Sequence, residues 1–133
     1  MTPGSIFART NDRTTWRDFA TACRAAERGG VDGVGFVFDG SGIAGIDLDH
    51  CITDGTLEPW AADIVDACAG TYIEVSPSGT GLHIYGRGTV GAGRRLAGIE
   101  VYDRGRFFTV TGNRWGDAPL ELADIQSVLD SLG

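Results

Sequence analysis

A chain of 133 residues, 42% hydrophobic and 22% charged, suffices for one soluble domain with a single core. No run approaches the ~20 apolar residues of a membrane span, and the start Met1-Thr2-Pro3-Gly4 has neither the charge nor the apolar stretch of a signal peptide, so a cytoplasmic protein with no membrane partner is expected. The net charge of −7 argues against strong general affinity for nucleic acid, although all 11 basic residues are arginine, whose forks suit phosphates.

Thr15 and Asp18 form a capping-box pattern that opens a helix over roughly 15–28. Trp16, Phe19, Ala20, Cys23 and Ala26 are its apolar stripe, and Gly29-Gly30 is its stop. Strands are predicted over 33–38 and 43–49, joined by Asp39-Gly40-Ser41-Gly42, a hairpin signal. A loop with Asp54-Gly55 leads to a helix near 58–69, with Trp60, Ile64, Val65 and Cys68 inward and Gly70 as its cap. Further strands are predicted over 71–76, 82–87, 98–103 and 107–111. The segment Gly86–Arg95, with four glycines and three arginines, reads as a mobile linker. Asp103-Arg104-Gly105 reads as a tight turn. Leu120, Ala123, Ile125, Val128, Leu129 and Leu132 mark a closing amphipathic helix. The order α-β-β-α-β-β-β-β-α predicts an α+β fold. Cys23, Cys51 and Cys68 are widely spaced, form no zinc pattern, and read as buried free thiols.

Three segments carry chemistry. In Gly45-Ile46-Asp47-Leu48-Asp49-His50-Cys51, two carboxylates stand two residues apart in an apolar run, so on a strand they project together. They repel unless a cation lies between them. A solvated edge or a structural ion site is the alternative. In Ile99-Glu100-Val101-Tyr102-Asp103, Glu100 and Tyr102 share a strand face, or Glu100 is simply an exposed polar position. Between these, Ser76-Pro77-Ser78-Gly79-Thr80-Gly81-Leu82-His83 is a glycine-rich turn delivering His83, which is otherwise a satisfied core histidine. Ser78, Gly79, Thr80 and Gly81 offer hydroxyls and backbone N–H groups to phosphate oxygens. The turn lacks the Gly-Lys-Ser/Thr ending of a Walker loop. Three acidic oxygen ligands, a glycine turn and a histidine meet the needs of a Mg²⁺-bound triphosphate. By strand parity His50 turns away from Asp49. Arg87, Arg94 and Arg95 lie between His83 and the third segment, and Arg104 and Arg106 directly follow it.

In order and spacing, these segments resemble the motifs of the archaeo-eukaryotic primase superfamily, in particular the bifunctional primase–polymerase domain of phages and plasmids. The resemblance spans roughly residues 14–112, from Gly33-Val34-Gly35-Phe36-Val37-Phe38 to Arg106-Phe107-Phe108-Thr109-Val110-Thr111-Gly112. It implies a mostly antiparallel, RRM-like sheet with packed helices. It also implies catalytic residues Asp47, Asp49, Glu100 and His83, with Asp47, Asp49 and Glu100 holding Mg²⁺ or Mn²⁺. His83 and Arg106 would meet the triphosphate, and Phe107 the nucleotide sugar, unless Phe107 is core and Phe108 outward.

The expected activity is template-dependent nucleotidyl transfer, as DNA primase and/or polymerase, by a two-metal mechanism in phage, plasmid or mobile-element replication. The expected partners are nucleoside triphosphates, a single-stranded DNA template or primer–template, and a replicative helicase. Residues 1–133 are expected to be one compact catalytic domain, either N-terminally reduced or a fragment, because relatives often carry a basic segment before the first helix. Two other readings stand beside this one: a catalytically degenerate module that binds nucleotide or a replication partner, and an acidic inhibitor of a nucleic-acid-binding surface.

Overall fold

The computed structural model of the chain describes residues 6–7, 13–27, 34–40, 42–90, 93–96 and 98–132, and their side chains from Phe19 onward, Val34 and Asp39 excepted. In chain order the elements are β1 (Ile6–Phe7), α1 (Arg13–Glu27), β2 (Val34–Asp39), β3 (Ile43–Leu48), β4 (Ile52–Thr53), β5 (Thr56–Leu57), α2 (Pro59–Ala67), β6 (Ile73–Val75), β7 (Leu82–Arg87), β8 (Arg94–Leu96), β9 (Ile99–Tyr102), β10 (Arg104–Val110) and α3 (Gln126–Ser131). The fold is α+β and mostly antiparallel; β1 and β2 make the parallel pair. Among the described residues no helix is long and apolar enough to cross a membrane. The capping-box pair Thr15 and Asp18, the ring of Trp16 and the Gly29-Gly30 stop lie outside what is described.

The strands form two main sheets, β1-β2-β10 and β6-β7-β3-β9-β8. The predicted hairpin between β2 and β3 is therefore absent. Both edges of β3 are already paired, by β7 and by β9, so β2 has no edge to join and pairs with β10 instead. The turn after β2 carries the chain from one sheet to the other. A second crossing lies beside it, where β9 ends and β10 begins; Gly40 N–H donates to Asp103 O there (2.8 Å).

Alternation along β3 splits the core. Ala44, Ile46 and Leu48 bury against α2 and α3 with Leu82, Ile84, Val101, Ala61 and Leu129. The other face meets the small sheet and α1 through Phe19, Phe36, Phe38, Tyr72, Tyr85 and Phe108, whose rings pack mostly edge to face. Gly45 permits this contact: a Cβ there would lie 2.5 Å from Phe38 Cζ and 2.6 Å from Phe108 Cε2.

Local departures from the sequence reading have local causes. Asp54 and Gly55 both take positive φ (51° and 77°), the geometry of a two-residue hairpin turn, so the expected loop is the β4–β5 hairpin. The linker Gly86–Arg95 is strand at both ends, because β7 runs through Arg87 and Arg94 starts the edge strand β8. The closing helix shortens to α3. Residues 121–124 instead run beside the large sheet, where Tyr72 N–H donates to Glu121 O (2.8 Å) and Arg87 N–H to Ala123 O (2.7 Å). In α2 the fully buried residue is Ala61, while Trp60 is 37% exposed. Gly70 takes φ 95° just beyond that helix, as a C-terminal glycine does. All three cysteines are free and buried.

Candidate metal and nucleotide site

One line of residues crosses the whole five-stranded sheet. Glu74 on β6 is opposite His83 on β7, His83 is opposite Asp47 on β3, Asp47 is opposite Glu100 on β9, and Glu100 is opposite Arg95 on β8. Directly opposed residues present side chains on the same face. Their flanking neighbours Ile73, Leu82, Ile84, Ile46, Leu48 and Val101 belong to the other, apolar face. Five polar residues, three of them acidic, are thus collected by register alone.

At the centre, carboxylate oxygens of Asp47, Asp49 and Glu100 lie within 4.8 Å of one another. Asp49 sits one residue beyond β3, but its N–H donates to Gly98 O (2.8 Å) and prolongs the ladder. Asp47 and Glu100 are half-buried and Asp49 is exposed. Burial pushes the Asp47 carboxyl up to about 6; nearby His83 opposes this, and the negative charges of Asp49 and Glu100 add to it. Glu100 moves the other way. The Tyr102 hydroxyl donates to its Oε1 (2.7 Å) and Arg95 Nη2 reaches the same atom (3.1 Å); together they outweigh burial and hold its carboxyl low. The donor set is all oxygen, crowded, negative and open to solvent on one side, which fits a hard divalent cation.

His83 is buried and held on three sides. Nδ1 lies 3.0 Å from Glu74 Oε2, the ring stacks on Phe108 (centroids 4.8 Å apart, 23° between planes), and Tyr85 meets it edge-on. Nε2 then lies 3.8 Å from Asp47 Oδ1. Asp47, His83, Glu100, Tyr102, Arg106 and Phe107 line a cleft of about 270 Å³, completed by Pro77, Phe108 and Thr109. Arg106 stands over the Tyr102 ring (4.7 Å), a cation–π contact that leaves its guanidinium at the cleft. Phe107 is 65% exposed and Phe108 8%, so of the two rings Phe108 is the core one.

The turn between β6 and β7 is tightly made. Gly79 N–H donates to Ser76 O and Ser76 N–H to Gly81 O (both 2.9 Å), while Thr80 O accepts the N–H groups of Cys51 and Ile52. Gly81 leaves no room for a side chain, since a Cβ would lie 2.5 Å from Leu48 O. The turn is thereby docked on the end of β3, with Pro77 lining the cleft. Ser78, Gly79 and Thr80 are exposed just outside it, their hydroxyls linked as Ser76–Ser78 (3.0 Å) and Ser78–Thr80 (3.1 Å). His50 is exposed with φ 50° and stands outside the group.

Of the clustered arginines, Arg95 and Arg106 reach the site. Arg87 donates to Leu122 O (3.0 Å), Arg94 to Leu129 O (3.3 Å), and Arg104 pairs with Asp103 (2.8 Å). Sequence reasoning missed Glu74. The available signal was an acid at the middle of the apolar stretch Tyr72-Ile73-Glu74-Val75, on a strand expected to be buried.

No family model matches the chain. It is 32% identical over 115 residues to a DNA primase-polymerase of Nitratiruptor phage NrS-1, a match that covers 79% of this chain and 16% of that protein. The chain therefore spans about a sixth of the relative's length. Asp47, His83 and Glu100 line one cleft on a mostly antiparallel sheet with Asp49 beside them, in the sequence order of the superfamily's motifs, and with this identity the chain belongs to the phage primase–polymerase domain family.

Proposed function

We propose that the chain is a catalytic domain for template-dependent nucleotidyl transfer, acting as DNA primase and/or polymerase in the replication of a phage, plasmid or other mobile element. The observation that carries this reading is the cross-strand line that sets Asp47, Glu100 and the Nε2 edge of His83 at one cleft, with Asp49 completing an oxygen trio within 4.8 Å. Its substrates would be nucleoside triphosphates and a single-stranded DNA template or primer–template, with a replicative helicase as partner.

Asp47, Asp49 and Glu100 would hold Mg²⁺ or Mn²⁺. When bound in such a site, a pair of divalent cations activates the attacking 3′ oxygen and offsets charge on the leaving pyrophosphate. The remaining work falls to the chain's own groups. His83, locked by Phe108 and Glu74, turns Nε2 toward the triphosphate. Arg106, steadied by the Tyr102 ring, supplies a fixed positive charge on the same side. The exposed hydroxyls of Ser78 and Thr80, on the turn that Gly79 and Gly81 shape, border the path of the outer phosphates. Phe107, exposed at the rim of the cleft, lies against the sugar. Tyr102 and Arg95 keep Glu100 ionised and oriented.

The test is incubation of the chain with template, Mn²⁺ or Mg²⁺ and labelled nucleotides, with and without primer. Incorporation that follows template sequence and stops on chelation is expected. Nucleotide binding without incorporation would mean a binding module instead.

A further inference from the structure

We infer that Glu74 is a positioning residue of the cleft: it holds the Nδ1 edge of the His83 ring and so presents Nε2 to Asp47 and the bound nucleotide. The inference rests on the functional reading above, in which His83 faces a triphosphate.

Glu74 is a fully buried carboxylate, a costly group unless its oxygens are satisfied. They are. Oε1 accepts from the Tyr72 hydroxyl (2.8 Å) and from the N–H groups of Thr111 (3.0 Å) and Gly112 (3.2 Å). Oε2 accepts from the Tyr85 hydroxyl (3.2 Å) and faces His83 Nδ1 (3.0 Å). With four donors already turned to its oxygens, Glu74 is placed as an acceptor, and an acceptor facing Nδ1 calls for a donor at that ring nitrogen. Phe108 covers one face of the ring and Tyr85 meets it edge-on. Phe108 and Tyr85 thus hold the plane of the ring, while Glu74, which does not line the cleft, selects which ring nitrogen faces inward.

The same carboxylate joins the two sheets where it matters for the site. Thr111 and Gly112 directly follow β10, the strand that carries Arg106 and Phe107. Thr111 Oγ1 also donates to Val75 O (2.6 Å), and Val75 N–H donates to Asn113 O (2.8 Å). Glu74 thus sets His83 in register with β10. An apolar residue at 74 would fill the space but strand two backbone N–H groups, two hydroxyls and an imidazole N–H.

The experiment has two arms. Ring ¹⁵N spectra of histidine-labelled protein without nucleotide, with His83 assigned by its loss in His83→Ala, report which nitrogen carries the proton. Wild type is expected to show a protonated Nδ1, and Glu74→Gln a changed ring state, because the amide puts a donor among donors. In the second arm, binding of Mn²⁺ with a deoxynucleoside triphosphate is measured for wild type, Glu74→Gln, His83→Ala and the double variant. Glu74→Gln should weaken nucleotide binding about 10- to 100-fold, the scale of one hydrogen bond to a charged group. The double variant should be no weaker than His83→Ala alone, because Glu74 acts through His83. Glu74→Asp, which keeps the charge, should restore part of the loss. An unprotonated Nδ1 in wild type, which needs no variant to fold, or losses that add in the double variant, overturns the inference alone. A wild-type chain that binds no Mn²⁺–nucleotide overturns the functional reading, and with it this role for Glu74.

Discussion

Asp47 and Glu100 are direct cross-strand partners on β3 and β9, yet their carboxyls are driven in opposite directions, Asp47 up to about 6 and Glu100 down. Asp47 pays most for desolvation, while Glu100 has donors in Tyr102 and Arg95. Because the Asp47 value in the fold exceeds its ordinary 3.8, the folded state holds that proton longer than the unfolded chain. Its contribution to stability is fully present below 3.8 and lost as pH rises through about 6. Asp47→Asn should then stabilise the metal-free protein by roughly 2 kcal/mol at neutral pH and by little near pH ~4. Urea unfolding in chelator at both pH values measures the difference, and an equal effect at both would refute it.

Each of Asp47→Ala, Asp49→Ala and Glu100→Ala should abolish nucleotide incorporation while the domain stays folded. Near neutral pH the metal-free melting temperature should not drop for Asp47→Ala or Asp49→Ala, since each removal relieves repulsion. Incorporation assays paired with thermal melts check this. Loss of folding in proportion to loss of activity would make the group structural.

His83→Ala should weaken triphosphate binding by about 1.5–3 kcal/mol, the scale of a hydrogen bond to a charged group. Mn²⁺ binding without nucleotide should change little, because the oxygen trio does not include His83. Calorimetry with Mn²⁺ alone and then with nucleotide separates the two. Lost Mn²⁺ affinity with intact nucleotide affinity would make His83 a metal ligand.

Phe107 and Phe108 should part company on substitution. Phe107 is 65% exposed, so Phe107→Ala should alter stability by no more than about 0.5 kcal/mol. It should raise ribonucleotide incorporation relative to deoxyribonucleotide, by removing a ring from the sugar's side of the cleft. Phe108→Ala removes a core ring and should cost about 3–5 kcal/mol. Unchanged sugar selectivity in Phe107→Ala would move the gate to Tyr102.

Gly45→Ala should destabilise by about 1–3 kcal/mol, the cost of overpacking, because its Cβ would press on Phe38 and Phe108 at 2.5 and 2.6 Å. Phe108 also stacks on His83, so the residual folded protein should bind triphosphate less well. Chemical unfolding and nucleotide titration of the same variant test both statements.

The sequence by itself settled what local pattern can settle. Alternation of Ile46, Asp47, Leu48 and Asp49 declared a strand with one wet face, and the spacing of the Ser/Gly turn before His83 and of Glu100 after it announced the order of the motifs. Helix α1, β3 and β7 fell close to their expected bounds for the same reason: their periodicity is strong and uninterrupted. What the pattern could not carry was which strand pairs with which. The Asp39–Gly42 segment has hairpin composition, but pairing is a competition for edges. β7 and β9, distant in sequence, win both edges of β3. The same non-local register lined up Glu74, His83, Asp47, Glu100 and Arg95. Glu74 was invisible as a partner of His83 because its meaning depends on five donors brought from just before β6, from β7 and from just beyond β10. The choice of Phe108 over Phe107 for the core likewise waited on the packing of the small sheet against Gly45. Sequence names the residue types that a site needs; only the long-range pairing decides which of them meet.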